Sequence, residues 1–365
     1  MKLLLYRLGF CCLLASALLA CRKHDDPSTH ELTYTVSTLA GSGTAGFADG
    51  AGGAAQFNEP NSVAVDAQGT VYVTDASNHR IRKITAAGVV STLAGTGAPG
   101  LVDGPGATAQ FNLPTGIAVD ALGTVYVADT YNNCIRTISP AGVVSTWAGA
   151  AGKGLQDGSV AAAKFWQPTG LALDQQGALY VADSNNQRIR KITAQGVVST
   201  LAGSGPSQVQ NAGENFADGP AGTALFYYPS GVAVDGQGTV YVADYQNNRI
   251  RKITAQGVVS TVAGSTGGYT DGDAAQAKFL YPTGVAVDAG GVLYVTDYGN
   301  GCLRRISPAG QVSLFAGSKT TLGYADGPAA ASLFSRSVGL AVTTSATAVY
   351  VADTNSHRIR KISGQ

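Results

Sequence analysis

Hydrophobic residues along most of this chain alternate with polar ones in short segments and follow no helical period. One early unit contains four such segments: Ser62–Asp66, Val71–Asp75, Arg80–Thr85 and Val89–Ala94. Valine, isoleucine, tyrosine and threonine dominate them, and glycine and aspartate separate them. This alternation predicts half-buried β-strands joined by tight turns, and therefore an all-β protein.

The same four-segment unit recurs six times. Each copy contains Tyr-Val followed by Ala or Thr and then an aspartate, and these aspartates recur at intervals of 53 to 61 residues. Self-similarity at this period indicates a repeat architecture, and four strands per unit are typical of a β-propeller. The marker aspartates are Asp75, Asp129, Asp183, Asp244, Asp297 and Asp353.

The chain termini predict that the repeats close into a ring. The sixth copy ends after its third strand, at Gln365, whereas a fourth-strand sequence, Thr35–Gly41, stands far upstream. A linear array has no use for this arrangement, but a ring in which both termini share one sheet requires it. Closure also removes an open sheet edge. We therefore expect residues 34–365 to form a six-bladed β-propeller of four-stranded blades, with the N-terminal strand completing the last blade.

Composition agrees with a propeller. Only 13% of residues are charged and 48 are glycine, which suits many turns and strands covered on both faces. The propeller region exceeds the usual size of a single-core domain. A repeat architecture avoids this limit, since each blade packs only on its neighbours.

The first 20 residues predict a secretory signal. Lys2 and Arg7 precede an apolar run, Leu8–Ala20, that is shorter than the roughly 20 residues needed to span a bilayer. Leu18-Leu19-Ala20-Cys21 resembles a bacterial lipobox, and this resemblance implies that Cys21 becomes a lipidated N-terminus with stable membrane anchoring. The alternative is an ordinary soluble signal cleaved nearby.

Residues 21–33 are polar and contain a proline, so they predict a flexible tether after Cys21. The basic residues followed by Asp25-Asp26 resemble surface-export signals of Bacteroidota lipoproteins. We therefore expect a lipoprotein of the bacterial outer membrane that faces the periplasm or the cell surface. Without the signal the formal charge is −1, which argues against nucleic-acid binding.

The repeat resembles the NHL repeat. The segments Asn78-His79-Arg80-Ile81-Arg82 and Ser356-His357-Arg358-Ile359-Arg360 carry the resemblance, which extends over about residues 34–365. It implies the propeller fold but leaves function open, because the family includes protein-binding and RNA-binding modules, extracellular sensors and a metal-dependent amidating lyase. That lyase uses several histidines around zinc, and zinc catalysis needs three protein ligands. This propeller has two histidines, so we expect no metal and no cofactor.

Comparison of the six copies separates shared residues from variable ones. Residues present in every copy are expected to serve folding, so we predict that the marker aspartates pair with repeated arginines. The repeated tyrosines are expected to pack, and the Asp-Gly pairs such as Asp49-Gly50 to form turns. A calcium site is disfavoured because each Asp-Gly loop supplies one carboxylate. Cys134 and Cys302 lie in blades too far apart for a disulfide, which predicts two free thiols.

Two kinds of position vary: the residues after an invariant phenylalanine, and the residue after each marker aspartate. We expect both to lie on the propeller face that carries the long loops, enlarged by an insertion near Ser207–Asn215. Aromatic rings with a polar end are common at binding surfaces, although they could simply cover glycine-rich loops. The candidate ligand-binding residues are Trp166, Tyr227, Tyr228, Tyr245, Tyr281 and Tyr298 in blades three to five, with Glu59 and Arg336 on the far side.

The sequence favours a binding protein over an enzyme. We expect a monomeric, lipid-anchored propeller that binds a protein, peptide or glycan at the cell envelope, with no catalytic residues. The alternative is a lyase or lactonase with a metal, or with carboxylates such as Glu59 and neighbouring aspartates, in the central opening.

Overall fold

The computed structural model describes residues 33–150, 152–205, 216–319, 321–343, 345 and 347–364. Thr33–Gln365 form one compact unit. The predicted signal, lipidation site and tether before residue 33 lie outside the described residues, as does the insertion near Ser207–Asn215. Within the described ranges, the short helices are all far from the length and hydrophobicity of a membrane span.

The described chain folds into six antiparallel sheets, which confirms the six-bladed propeller. The first described strand is β1 (Tyr34–Ala40), which belongs to blade 6. Blade 1 contains β2 (Gly50–Ala51), β3 (Pro60–Val65), β4 (Val71–Asp75), β5 (Arg80–Ile84) and β6 (Val89–Ala94). Blade 2 contains β7 (Gly104–Pro105), β8 (Pro114–Val119), β9 (Val125–Asp129), β10 (Cys134–Ile138) and β11 (Val143–Ala148). Blade 3 contains β12 (Gly158–Ser159), β13 (Pro168–Leu173), β14 (Leu179–Asp183), β15 (Arg188–Ile192) and β16 (Val197–Ala202).

The remaining blades repeat this pattern. Blade 4 contains β17 (Gly219–Pro220), β18 (Pro229–Val234), β19 (Val240–Asp244), β20 (Arg249–Ile253) and β21 (Val258–Ala263). Blade 5 contains β22 (Gly272–Asp273), β23 (Pro282–Val287), β24 (Leu293–Asp297), β25 (Cys302–Ile306) and β26 (Gln311–Gly317). Blade 6 adds β27 (Gly327–Pro328), β28 (Leu340–Val342), β29 (Ala348–Asp353) and β30 (Arg358–Gly364) to β1. Short 3-10 helices occur at Gly52–Ala54, Ala76–Asn78, Thr130–Asn132, Ser184–Asn186, Tyr245–Asn247, Ala329–Ala331 and Thr354–Ser356.

Each blade has five strands, so the expectation of four was incomplete. The additional strand is two residues long and pairs with the outer side of the fourth strand, as in Gly50 opposite Val90. It forms where the connection between blades runs along the outer sheet edge. Two residues are too few to show a hydrophobic alternation, which explains why the pattern missed this strand.

The predicted closure of the ring is confirmed. Strand β1 lies between β27 and β30, with Tyr34 opposite Gly364 and Val36 opposite both Ile362 and Gly327. The N-terminal strand thus completes the blade that contains the last residues described.

The hydrophobic core is divided among the seams between blades. One cluster, for example, joins Phe57, Val63 and Val71 of blade 1 to Tyr350 and Ile359 of blade 6. The invariant phenylalanines are fully buried in these clusters, which gives them a packing role. Cys134 and Cys302 are buried free thiols, as expected, and burial raises their pKa.

The innermost strands approach one another closely around a central channel. A Cβ atom on Gly116 of β8 would lie 1.9 Å from the carbonyl oxygen of Thr169 in β13. Gly170 stands in the same relationship to Ser230 of β18. The glycines at this position of β8 and β13 are therefore required by backbone packing.

Candidate functional site

Both kinds of variable position lie on one face of the propeller, as predicted. Pro60, which starts the innermost strand of blade 1, pairs with Asp75, which ends the second strand. The backbone N–H of Ser77 donates to the carbonyl of Asn58 at 3.1 Å. The loop before the first strand and the loop between the second and third strands are thus in contact. We call the face that carries these loops the variable face.

A buried ion-pair network supports these loops in every blade. In blade 1, Arg82 Nη1 donates to Asp75 Oδ2 at 2.7 Å, and Nη2 donates to Asp49 Oδ1 at 2.6 Å. Both Arg82 and Asp75 have fully buried side chains, whereas 45% of the Asp49 side chain is exposed. The predicted Asp–Arg pairing is confirmed, and its equivalents in blades 2 to 6 involve Arg136, Arg190, Arg251, Arg304 and Arg360.

The marker aspartates are occupied by structural hydrogen bonds. Besides Arg82, Asp75 accepts from the Asn78 side chain at 2.9 Å and from the Asn58 N–H at 2.8 Å. Burial raises the pKa of these six carboxyls, to about 6 for Asp297, while the arginine charge and the hydrogen bonds oppose the rise. These carboxylates hold the loops and are enclosed within the blades.

The Asp-Gly pairs do more than make turns. Asp49 accepts hydrogen bonds from the Thr92 N–H and hydroxyl in addition to its ion pair with Arg82. Within the described ranges, no group of three or more His, Cys, Asp or Glu residues is arranged to hold a metal ion.

A ring of left-handed residues surrounds the mouth of the channel. The second residue after each invariant phenylalanine has a φ angle near 50°, although none of the six is glycine or asparagine. Such backbone conformations cost energy in bulky residues and cluster at functional sites. The six residues are Glu59, Leu113, Gln167, Tyr228, Tyr281 and Arg336.

Hydrogen bonds across the seams hold five members of this ring. In each, the backbone N–H donates to a side chain of the preceding blade, such as Leu113 to His79 Nδ1 at 3.1 Å and Tyr281 to Asn248 Oδ1 at 2.8 Å. The acceptors are also left-handed residues, and they follow the 3-10 helices. We call each of these five hydrogen bonds an interblade latch. Sequence analysis missed the latches, although the alternation of His, Asn, Gln and Gly at one repeat position was their signal. The acceptors are His79, Asn133, Gln187, Asn248 and His357.

A second set of hydrogen bonds crosses the seams through hydroxyl groups beside the marker aspartates. Thr74, before Asp75, donates to the carbonyl of Thr115 at 2.6 Å. Thr130, after Asp129, donates to the carbonyl of Pro168 at 2.8 Å. Blades 3, 5 and 6 use Ser184, Thr296 and Thr354 in the same way. In blade 4 the two positions are Ala243 and Tyr245, so neither residue can repeat the bond with a short-chain hydroxyl.

The structure brings four of the eight candidate residues together. Tyr245 of blade 4 stacks on Tyr281 of blade 5, with ring centroids 5.1 Å apart and planes inclined by 29°. The guanidinium of Arg336 in blade 6 lies 5.7 Å from the ring centroid of Tyr298 in blade 5. Burial, followed by the proximity of Tyr298 and Tyr281, raises the pKa of Tyr245. We call Tyr245, Tyr281, Tyr298 and Arg336 the aromatic cluster.

The other four candidates make separate contacts. Tyr227 and Tyr228 contact each other with centroids 5.2 Å apart, and Lys153 Nζ lies 5.6 Å from the Trp166 ring. Glu59 accepts a hydrogen bond from the Ser77 hydroxyl at 2.7 Å. The expectation that Arg336 lies on the far side from the aromatic residues was wrong, because blade 6 adjoins blade 5 and Arg336 contacts Tyr298.

The central channel has a volume of about 280 Å³ and is lined by the innermost strands of all six blades. Its lining consists of glycine, aliphatic residues, serine, threonine and one asparagine. Among the described residues that line it, none is ionisable. The carboxylates expected around the opening by the enzyme alternative therefore do not converge in this channel.

Five segments of the chain match the NHL repeat: residues 57–84, 111–138, 165–192, 226–253 and 279–306. Each runs from the invariant phenylalanine to the end of the third long strand of its blade. The chain thus carries NHL repeats, and blade 6 has the same strand order although its segment is outside these matches.

Known proteins similar to this chain differ widely in description. Protein SUPPRESSOR OF QUENCHING 1, chloroplastic, from Arabidopsis thaliana is 32% identical over 287 residues, which cover 74% of this chain and 27% of that protein. This chain therefore spans about a quarter of that relative. An auxiliary nutrient binding protein from Bacteroides thetaiotaomicron has a TM-score of 0.66 at 17% identity, covering 92% of this chain and 77% of that one. A gluconolactonase from Xanthomonas campestris has a TM-score of 0.58 at 14% identity, covering 90% and 89%. At these identities, the likeness of this chain to the two solved structures shows the fold alone.

Proposed function

We propose that this chain is a non-catalytic propeller that binds a protein, peptide or glycan on its variable face while anchored by lipid at a bacterial cell envelope. The observation that carries the proposal is the aromatic cluster. It is built at positions that differ among six blades of otherwise repeated structure. Exposed aromatic surface in such a setting is a common mark of a binding site.

The repeated residues act as an internal reference. Arg82, Asp75 and Phe57 have equivalents in all six blades and are buried within them. Trp166, Tyr228 and Tyr281, by contrast, have 40%, 40% and 37% of their surfaces exposed. A ring that served folding alone would be expected in every blade and in a buried position.

The channel supports binding over the lyase or lactonase alternative. General acid–base catalysis requires an ionisable group within hydrogen-bond reach of the reacting atoms. The described lining has none, and Glu59 is hydrogen-bonded to Ser77 outside that lining. The structural likeness to a gluconolactonase lies in the fold, which hosts many activities.

Anchoring forms a separate part of the proposal and rests on the lipobox-like sequence that ends at Cys21. Lipidation would place the protein at the outer membrane, facing the periplasm or the cell surface. The Cys21→Ser variant should leave the membrane fraction and lose incorporation of a labelled fatty acid. Unchanged fractionation and labelling would refute the lipid anchor without affecting the binding proposal.

The binding proposal is tested by screening envelope proteins, peptides and glycans against the parent protein. On any hit, Trp166→Ala, Tyr228→Ala and Tyr281→Ala are compared by titration calorimetry. Truncating an aromatic anchor commonly weakens affinity by about tenfold or more. Tyr126→Ala is the structural control, since Tyr126 packs on Trp147 with centroids 5.2 Å apart, and it should lower stability. Normal binding of every hit by all three folded variants would exclude the variable face as the site.

A further inference from the structure

Blade 5 differs from the other blades at both of its seams. At the seam between blades 4 and 5, Tyr245 occupies the position from which Thr130 and Thr354 donate across their own seams. At the seam between blades 5 and 6, Gly301 occupies the position from which His79 and Asn248 accept from the next blade. Each seam of blade 5 thus lacks one of the two hydrogen bonds that recur elsewhere in the described ring.

The aromatic cluster lies across these same two seams. The stacked pair Tyr245 and Tyr281 bridges blades 4 and 5, whereas Tyr298 and Arg336 bridge blades 5 and 6. Hydrogen bonds that stabilise the ring have therefore been replaced where aromatic and cationic groups come together. Functional sites often lack stabilising contacts that are present elsewhere in a fold, and the missing hydrogen bonds here coincide with the aromatic cluster.

The chemistry of the cluster fits a sugar ring that carries a carboxylate. Tyr281 stacks on Tyr245 and keeps 37% of its surface exposed, which leaves aromatic surface and phenol groups that suit the CH face and the hydroxyl groups of a pyranose. Arg336 is exposed, contacts Tyr298, and forms no ion pair with a described carboxylate. Guanidinium binds a planar carboxylate through two parallel hydrogen bonds.

Resting on the proposed binding function, we propose that the aromatic cluster is a subsite for a uronic acid residue of an acidic glycan. The aromatic rings hold the sugar ring and Arg336 pairs with its carboxylate. A protein ligand, by contrast, typically binds by inserting a side chain into a pocket that excludes water. The described lining of the nearby channel contains no charged group that could bind a charged side chain inserted there.

The test uses the propeller with polygalacturonate, alginate and a glucuronate polymer, each alongside its carboxyl-reduced neutral form. Binding is measured by calorimetry, together with the thermal midpoint of every variant. We expect at least one acidic polymer to bind, and its reduced form to bind at least about tenfold more weakly, the scale of one lost charge-assisted contact.

The test variants take their residues from other blades, so each fits its backbone position. Tyr245→Thr copies Thr130 and Thr354; it should keep or raise the thermal midpoint by restoring the seam hydrogen bond, while it abolishes binding. Arg336→Gln copies Gln167, which has the same left-handed conformation. It should equalise affinity for the acidic and reduced polymers. Tyr131→Ala, at an exposed tyrosine of blade 2, is the matched control and should bind as the parent does.

The outcomes separate this inference from the broader proposal. Failure of all three acidic polymers, equal binding of acidic and reduced forms, or normal binding by folded Tyr245→Thr each overturns the uronate subsite. If a peptide or protein then binds in a manner that depends on Tyr281, the binding function stands with another ligand class. If no ligand of any class depends on the cluster, on Trp166 or on Tyr228, both proposals fall.

Discussion

The imidazole of His357 in the last blade accepts a hydrogen bond at Nδ1 from the backbone N–H of Glu59 in the first blade, at 3.1 Å. His79 makes the equivalent contact with Leu113 across the next seam. An imidazole nitrogen accepts only while it is unprotonated, so both seams require neutral histidine. The two histidines that a metal-site interpretation would use are thus interblade latches.

Acid should weaken the His79 latch. Burial, and then the charge of Arg80, lowers the pKa of His79 below its ordinary 6.5. A lowered folded-state pKa means that stability is present above about pH 6.5 and is lost as pH falls through the folded-state value. His79→Asn, which copies Asn133 and Asn248, should remove this component. We expect the urea midpoint to fall more between pH 7.5 and 5 in the parent than in the variant; equal falls would contradict the latch.

Breaking the buried ion pair should be costly. Asp75→Ala leaves the fully buried guanidinium of Arg82 without its buried partner, and removing one partner of such a pair costs about 3–5 kcal/mol. Asp49→Ala removes the half-exposed partner of the same arginine and should cost clearly less. Unfolding in urea measures both free energies. Equal losses would show that burial does not distinguish the two aspartates.

Removal of residues 34–43 should open the ring. The deletion takes away β1, which pairs with β27 and β30, and leaves their edges exposed. We expect aggregation or loss of a cooperative thermal transition in calorimetry. A protein that starts at Thr33 retains β1 and serves as the control. If both truncated proteins melt alike, the terminal strand does not fasten the propeller.

Alkali should destabilise the fold through its repeated tyrosines. Burial, together with the nearby Asp235 carboxylate to which its hydroxyl donates at 3.2 Å, raises the pKa of Tyr241 to about 12. For a raised pKa, stability is fully present below the unfolded value near 10 and is lost as pH rises toward 12. The urea midpoint of Tyr241→Phe should therefore fall less between pH 9.5 and 11.5 than that of the parent. An identical decline in both proteins would show that ionisation of Tyr241 does not contribute to the loss of stability in alkali.

Much of the fold could be predicted from the sequence because the same pattern occurs in six copies. Six copies of one hydrophobic pattern predicted six blades, and the separated fourth-strand sequence predicted closure. The Arg82–Asp75 pairing followed from the joint recurrence of both residues. Strand β2 was missed because hydrogen bonds of a blade-to-blade connection define it, with no side-chain pattern of its own.

The candidate site could be predicted from the sequence only in part. Variation among copies identified Tyr245, Tyr281 and Tyr298, but it could not show which of them touch. Contact depends on how the side chains of adjoining blades cross their seam, as Arg336 does to reach Tyr298, and residue spacing does not give that. The latch required knowledge of left-handed backbone angles, which a mixture of His, Asn, Gln and Gly at one position indicates only indirectly.

The direction of β1 has a practical consequence. Tyr34 lies opposite Gly364, at the end of the blade remote from the loops that carry Glu59 and Asn78. Both ends of the described chain therefore lie on the propeller face opposite the variable face. Coupling the propeller to a sensor chip through a tag before Thr33 would leave the variable face open to analyte, and a fusion partner at either end would not obstruct it.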